Sequence, residues 1–142
     1  MVIKTIFLVH AASTLFMVGL IWFVQVVHYP LMARVSATEF VEYEAAHKRL
    51  TAWVVAPAML TEGITALIIL MTPRIAVRGE LVWVGLALLI VIWFSTALLQ
   101  VPQHNVLSLR FDSAAHQKLV ATNWIRTIAW SLRGAIVLSF IP

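Results

Sequence analysis

Leu81–Val101 reads LVWVGLALLIVIWFSTALLQV and carries no charged residue from end to end. A helix needs about 20 residues to cross the hydrocarbon core of a bilayer, so this run has the length and character of a membrane span. Backbone polar groups in lipid must be satisfied within the segment, which makes it a helix and not a strand. Three further runs share this character: Thr5–Val27, Thr51–Met71 and Asn123–Ile141. Their apolar residues run all round, as in spans and unlike amphipathic surface helices. The expected fold class is all-α, a four-transmembrane-helix bundle, with residues 1–142 forming a single membrane domain.

Composition supports that reading. Of 142 residues, 62% are hydrophobic and only 11% charged, and mean hydropathy is +0.96. A soluble domain carries about a quarter charged residues. Lys4 precedes the first apolar run, but that run is too long for a signal peptide and lacks a small-x-small cleavage site. The absence of cysteine excludes disulfides and thiolate metal sites. The net charge of +4 suits loops facing anionic lipid, and no basic run interleaves with aromatics as nucleic-acid binding would need. The expected partners are membrane lipids, a lipophilic small molecule, and a second copy or a larger membrane complex. The expected location is integral to a membrane such as the bacterial inner membrane.

Between the apolar runs lie two long connections, Val26–Trp53 (VVHYPLMARVSATEFVEYEAAHKRLTAW) and Leu99–Trp124 (LQVPQHNVLSLRFDSAAHQKLVATNW). The first holds His28 and His47, the second His104 and His116. Ser36-x-x-Glu39 has the form of a capping box, and Asp112 precedes Ser113-Ala114-Ala115-His116 as an N-cap. Helices 2 and 4 are thus expected to start outside the lipid and run inward. Two crossings return the chain to the same side, so all four histidines share one membrane face. The remaining connection, Thr72–Glu80, is short and contains Pro73. Arg34, Lys48, Arg49, Arg110 and Lys118 outnumber Lys4, Arg74 and Arg78 on the other side, which places the histidine face in the cytoplasm.

The two halves, about 1–71 and 72–142, resemble each other. Ile21-Trp22-Phe23 recurs as Ile92-Trp93-Phe94, half a chain later, and His28-Tyr29-Pro30 aligns with Gln100-Val101-Pro102. Ala45-Ala46-His47-Lys48-Arg49-Leu50 aligns with Ala114-Ala115-His116-Gln117-Lys118-Leu119. The expected architecture is two tandem helical hairpins related by a pseudo-twofold along the membrane normal.

Four groups of residues could carry chemistry. His28, His47, His104 and His116 are candidate ligands, since neutral imidazole binds zinc, copper, iron and haem. The plainer reading makes them interfacial side chains that touch headgroups or cap carbonyls. Glu44-x-x-His47 sets two donors on one helical face, the unit of di-iron carboxylate bundles. The second half offers only Ser113 and Asp112 near the corresponding place, so a histidine-dominated copper, zinc or mononuclear iron site, or a bis-histidine haem, fits at least as well. Glu62 and Arg133 lie mid-span at equivalent positions, where ionisable residues are expensive and rarely face lipid. They are read as a structural ion pair or, more sharply, as a substrate or proton site, with His10 at a similar height. Arg126 lies near the histidine face, either snorkelling to the interface or holding an anionic or quinone-like oxygen.

His28-Tyr29-Pro30-Leu31, Pro102-x-x-Asn105 and Trp124-x-Arg126-Thr127 together resemble the anthrone-oxygenase-like family of small four-helix membrane proteins. The resemblance spans most of the chain. It implies a four-helix bundle and, as in characterised members, oxidation of polycyclic phenolic anthrones to quinones. The chain is richer in histidine than that family's pattern, which draws attention to a metal centre. The function expected is a membrane oxidoreductase with a histidine-rich metal or haem site acting on a lipophilic aromatic. His28, His47, His104, His116 and Glu44 would be ligands, and Arg126, Glu62 and Arg133 would serve the substrate. The alternatives are a binding or transport protein using the Glu62–Arg133 pair, and a non-catalytic subunit of a larger membrane complex.

Overall fold

The computed structural model describes residues 2–72 and 79–141. Among them every regular element is helical. Four long helices follow in order: α1 Val2–Met32, α2 Phe40–Leu70, α3 Gly79–Leu107 and α4 Ser113–Leu138. The connection expected at Thr72–Glu80 falls mainly on residues 73–78, so Pro73, Arg74 and Arg78 lie outside the described residues.

The helices extend well beyond the apolar runs at the histidine end. α2 begins at Phe40, eleven residues ahead of the apolar run at Thr51, so the acidic and basic residues of the first connection are themselves helical. Asp112 caps α4 as its sequence suggests: its carboxylate accepts from the Ala115 N–H at 2.8 Å. Ser36 behaves differently. Its hydroxyl donates to Glu39 Oε2 at 2.9 Å inside a turn, and α2 starts after Glu39 with no side-chain cap.

α1 and α3 share an irregularity. Val24–His28 and Thr96–Gln100 are π-helical turns, in which the Tyr29 N–H reaches Val24 O and the Val101 N–H reaches Thr96 O. Each turn leads into a proline, Pro30 or Pro102. Proline has no N–H to give and crowds the carbonyl four residues back; a widened turn relieves that crowding. Such bulges mark places where a helix re-aims its side chains, and both adjoin the site described below.

α1 packs along α2 and α4, and α3 packs along α4. α2 and α3 meet only sparsely, so the bundle is open on that side. The apolar core at mid-height consists of Met17, Ile21, Met59, Ile92, Ala129 and Trp130; a second lies at the histidine end, around Tyr29, Met32, Phe40, Leu107, Ala115 and Leu119. Gly134 lets α1 and α4 approach closely: a Cβ there would meet Val18 Cγ2 at 3.0 Å.

The distribution of polarity is inverted relative to a water-soluble bundle. Phe16, Trp22, Ile64, Trp83, Phe94, Leu98 and Ile128 are exposed, while Thr14, Gln25, Glu44, Glu62, Asn123 and Arg133 are buried. α1, α2 and α3 are each long and apolar enough to cross a membrane. α4 falls outside that set because its buried face carries His116, Asn123, Arg126, Thr127 and Arg133.

Candidate metal centre and the cavity beside it

Glu44 and His47 are one turn apart on α2, so both side chains point the same way. That face turns inward toward the ends of α1 and α3, where His28 and His104 wait. The His28 and His47 rings stack with centroids 4.4 Å apart, and the His47 and His104 rings are 5.4 Å apart. Glu44 is fully buried, and His104 Nδ1–H donates to its Oε1 at 2.7 Å. His104 Nε2 in turn lies 3.3 Å from the Tyr29 hydroxyl, which is placed to donate to it. Thr51 Oγ1 and His47 Nδ1 are 3.1 Å apart. Donor atoms of Glu44, His47 and His104 all lie within 4.8 Å of one another. Two buried atoms of the cluster have no partner: Glu44 Oε2 and His28 Nε2.

Three of the four candidate histidines therefore come together, and His116 stands apart. His116 Nε2 donates to the Tyr29 carbonyl at 2.8 Å, packed against Phe111. Tyr29 lies in the last turn of α1, where carbonyls have no helical partner, so His116 satisfies one of these. Asp112, the acid nearest to it in sequence, is occupied in capping α4. The second half of the chain thus contributes His104 to the cluster but no second carboxylate-and-histidine unit.

A cavity of about 550 Å³ begins at His47, His104 and Tyr29 and runs between the helices toward Met17, Ile21, Met59 and Trp93. Ala56 and Ala97 line its side where α2 and α3 part, and both are exposed. Arg126 also lines it. Arg126 is 7% exposed, and its guanidinium donates through Nη1 to Asn123 Oδ1 at 3.2 Å and lies over the Trp130 ring at 5.3 Å. Its Nε has no partner. Asn123 is held in turn by Gln25, whose Oε1 accepts from Asn123 Nδ2 at 2.8 Å.

The second polar group sits further along the bundle. Glu62 is fully buried and accepts from Thr14 Oγ1 at 2.9 Å, from Trp130 Nε1 at 3.0 Å and from Arg133 Nε at 2.8 Å. Arg133 also donates to the Gly85 carbonyl, tying α3 to α4, and its Nη2 lacks a partner. His10 Nδ1 lies 2.9 Å from Thr65 Oγ1, which itself donates to the Thr61 carbonyl at 2.6 Å, so the imidazole is the donor. His10 and Arg133 line a separate cavity of about 50 Å³.

Sequence reasoning singled out Glu44, His28, His47, His104, Arg126 and the Glu62–Arg133 pair, all of which face the interior. It passed over Gln25 and Thr14, although a polar residue inside an apolar run is a signal. Trp130 gave none, being one of six tryptophans. The fold and the sites define a helical protein of membrane character with a polar interior. Compared with protein-family models, curated proteins and solved structures, the chain finds no match.

Proposed function

We propose that this chain is an integral membrane oxidoreductase whose Glu44, His47 and His104 hold one divalent metal ion beside the lipophilic cavity. The observation that carries this reading is the fully buried Glu44 carboxylate, with one oxygen bound to His104 and the other without any partner. A buried polar atom left unsatisfied costs roughly 1–3 kcal/mol, more if charged. A cation among these donors removes that cost and takes the place of the proton between Glu44 and His104. Two imidazoles and a carboxylate form the donor set of non-haem iron oxygenases and of some catalytic zinc sites. Iron suits an oxidoreductase, since zinc has no redox chemistry. Haem fits less well, because a carboxylate belongs to the set and the histidine rings already touch.

A redox-active ion would supply the electron transfer. The chain supplies the rest: Tyr29 orients His104, Thr51 fixes the His47 ring, and the cavity excludes water from an apolar guest. The gap between α2 and α3 lets a lipophilic aromatic or quinone-like molecule enter sideways from the bilayer. On this reading α4 crosses the membrane with the other three helices, its polar face turned inward. The histidine end faces the cytoplasm of a bacterial inner membrane. The halves are tandem hairpins, supported by π-turns that end at the aligned residues His28 and Gln100. The resemblance to the anthrone-oxygenase-like family belongs to the same proposal.

The test is metal content of protein purified in detergent after loading with ferrous ion. Wild type should hold about one ion per chain, and Glu44→Gln, His47→Ala and His104→Ala should each lose most of it. His116→Ala should retain it. Full occupancy in a Glu44→Ala/His104→Ala double variant would overturn the assignment.

A further inference from the structure

α4 carries two buried arginines, and the chain treats them differently. Arg133 lies against Glu62 with 2.8 Å between Nε and Oε1. Arg126, two turns earlier and equally buried, has no ion pair among the described residues. Its hydrogen-bond acceptor, Asn123 Oδ1, is neutral, as is the Tyr29 phenol that also faces it, its stacking partner is Trp130, and its Nε is unsatisfied. The buried acid at this end of the bundle, Glu44, is bound to His104. A guanidinium cannot escape the cost of burial by losing its proton, and a buried ion without a partner is strongly destabilising. In a membrane interior such residues pair or line a pathway.

The cavity gives the missing charge a way in. Arg126 borders it, and most of the remaining wall is apolar, with Met17, Ile21, Met59 and Trp93 along its length. A volume of about 550 Å³ is in the range of pockets that bury drug-sized ligands, roughly 300–1,000 Å³. The exposed Ala56 and Ala97 mark the open side between α2 and α3.

We propose that this cavity binds a lipophilic acid in its ionised form, with the anionic oxygen on Arg126 and the apolar body along Met17, Met59 and Trp93. The guest enters from the lipid between α2 and α3. The acidic group is a carboxylate or a phenolate, since either supplies the charge that the guanidinium lacks. The inference rests on the proposed function only in calling the guest a substrate. Binding itself requires Arg126 and not the metal.

The experiment uses the full chain in phosphatidylcholine nanodiscs, stripped of metal by chelator, with dansyl-undecanoic acid as a fluorescent probe. The probe should bind at neutral pH, and lauric acid or 4-dodecyl-2,6-dinitrophenol, both ionised there, should displace it, while methyl laurate and the neutral 4-dodecylphenol, whose hydroxyl titrates near about 10, should not. Displacement by lauric acid assigns a carboxylate guest, and displacement by the dinitrophenol a phenolate guest. Arg126→Gln should weaken probe binding at least about tenfold, the scale of a charge-assisted hydrogen bond. Arg126→Lys should restore part of it, which separates lost charge from lost folding. Ala56→Phe, at the open side, should reduce binding with Arg126 intact. Equal displacement by the ester, no probe binding, or an Arg126→Gln variant of wild-type affinity would each overturn the proposal. Binding that appears only after metal is restored, and vanishes in His104→Ala, would also overturn it by placing the anion on the metal. Metal content measured on the same samples reports separately on the proposed centre.

Discussion

Replacing Glu62, Arg133 or both by leucine tests how the interior is held together. Glu62 accepts three hydrogen bonds and has no access to solvent. Arg133→Leu leaves the carboxylate with two neutral donors, Thr14 and Trp130; breaking a buried pair in this way costs about 3–5 kcal/mol. Glu62→Leu does more damage. It leaves the guanidinium with only the Gly85 carbonyl and also strips Thr14 and Trp130 of their acceptor, at about 1–3 kcal/mol for each buried group left unpaired. Glu62→Leu should therefore be the less stable single variant. The double variant has no uncompensated charge and should be no less stable than Glu62→Leu alone, so the coupling is at least the cost of Arg133→Leu, about 3 kcal/mol. Equilibrium unfolding of all four proteins in mixed micelles measures the cycle. Additive losses, or Arg133→Leu as the more damaging change, would refute the idea that Glu62 is the hub on which α1, α2 and α4 converge.

His116→Ala should cost about 1–2 kcal/mol by orphaning the Tyr29 carbonyl, with His116→Gln recovering part of it, in the same unfolding assay. Deleting Ala97, inside the π-turn Thr96–Gln100, should leave a folded protein, because removing the extra residue returns that turn to α geometry without rotating His104. Deleting the exposed Val91 from an ordinary turn of α3 rotates everything on one side of it by about 100°. That variant should lose most of its stability; equal tolerance of the two deletions would contradict the bulge reading.

The apolar runs made the helices legible, since lipid admits few alternatives for an uncharged segment of that length. Glu62 and Arg133 were legible as partners for the same reason: each is expensive alone, and their depth along the helices matched. α4 shows where the hydropathy signal weakens. Its inward face is so polar that it reads as a span in the sequence only because Ile125, Ile128 and Leu132 cover its outside. The histidine cluster was legible in part. Histidine identity marked four candidates, but identity does not say which way a ring points, and the deciding facts are local backbone events. Tyr29 lies in the last turn of α1, which ends at Met32, so its carbonyl needs a donor, and His116 supplies it instead of joining the other three. The π-turns ahead of Pro30 and Pro102 re-aim the ends of α1 and α3, where His28 and His104 each meet the His47 ring. A proline in a helical run announces some irregularity but not whether it is a kink, a bulge or an end. Glu44 is the converse case. Its sequence surroundings, Glu42 and Lys48, suit a solvated turn, yet Glu44 is fully buried, with His104 on one carboxylate oxygen and nothing bound to the other. That unsatisfied oxygen exists only in three dimensions, and it is the feature on which the metal-centre proposal depends.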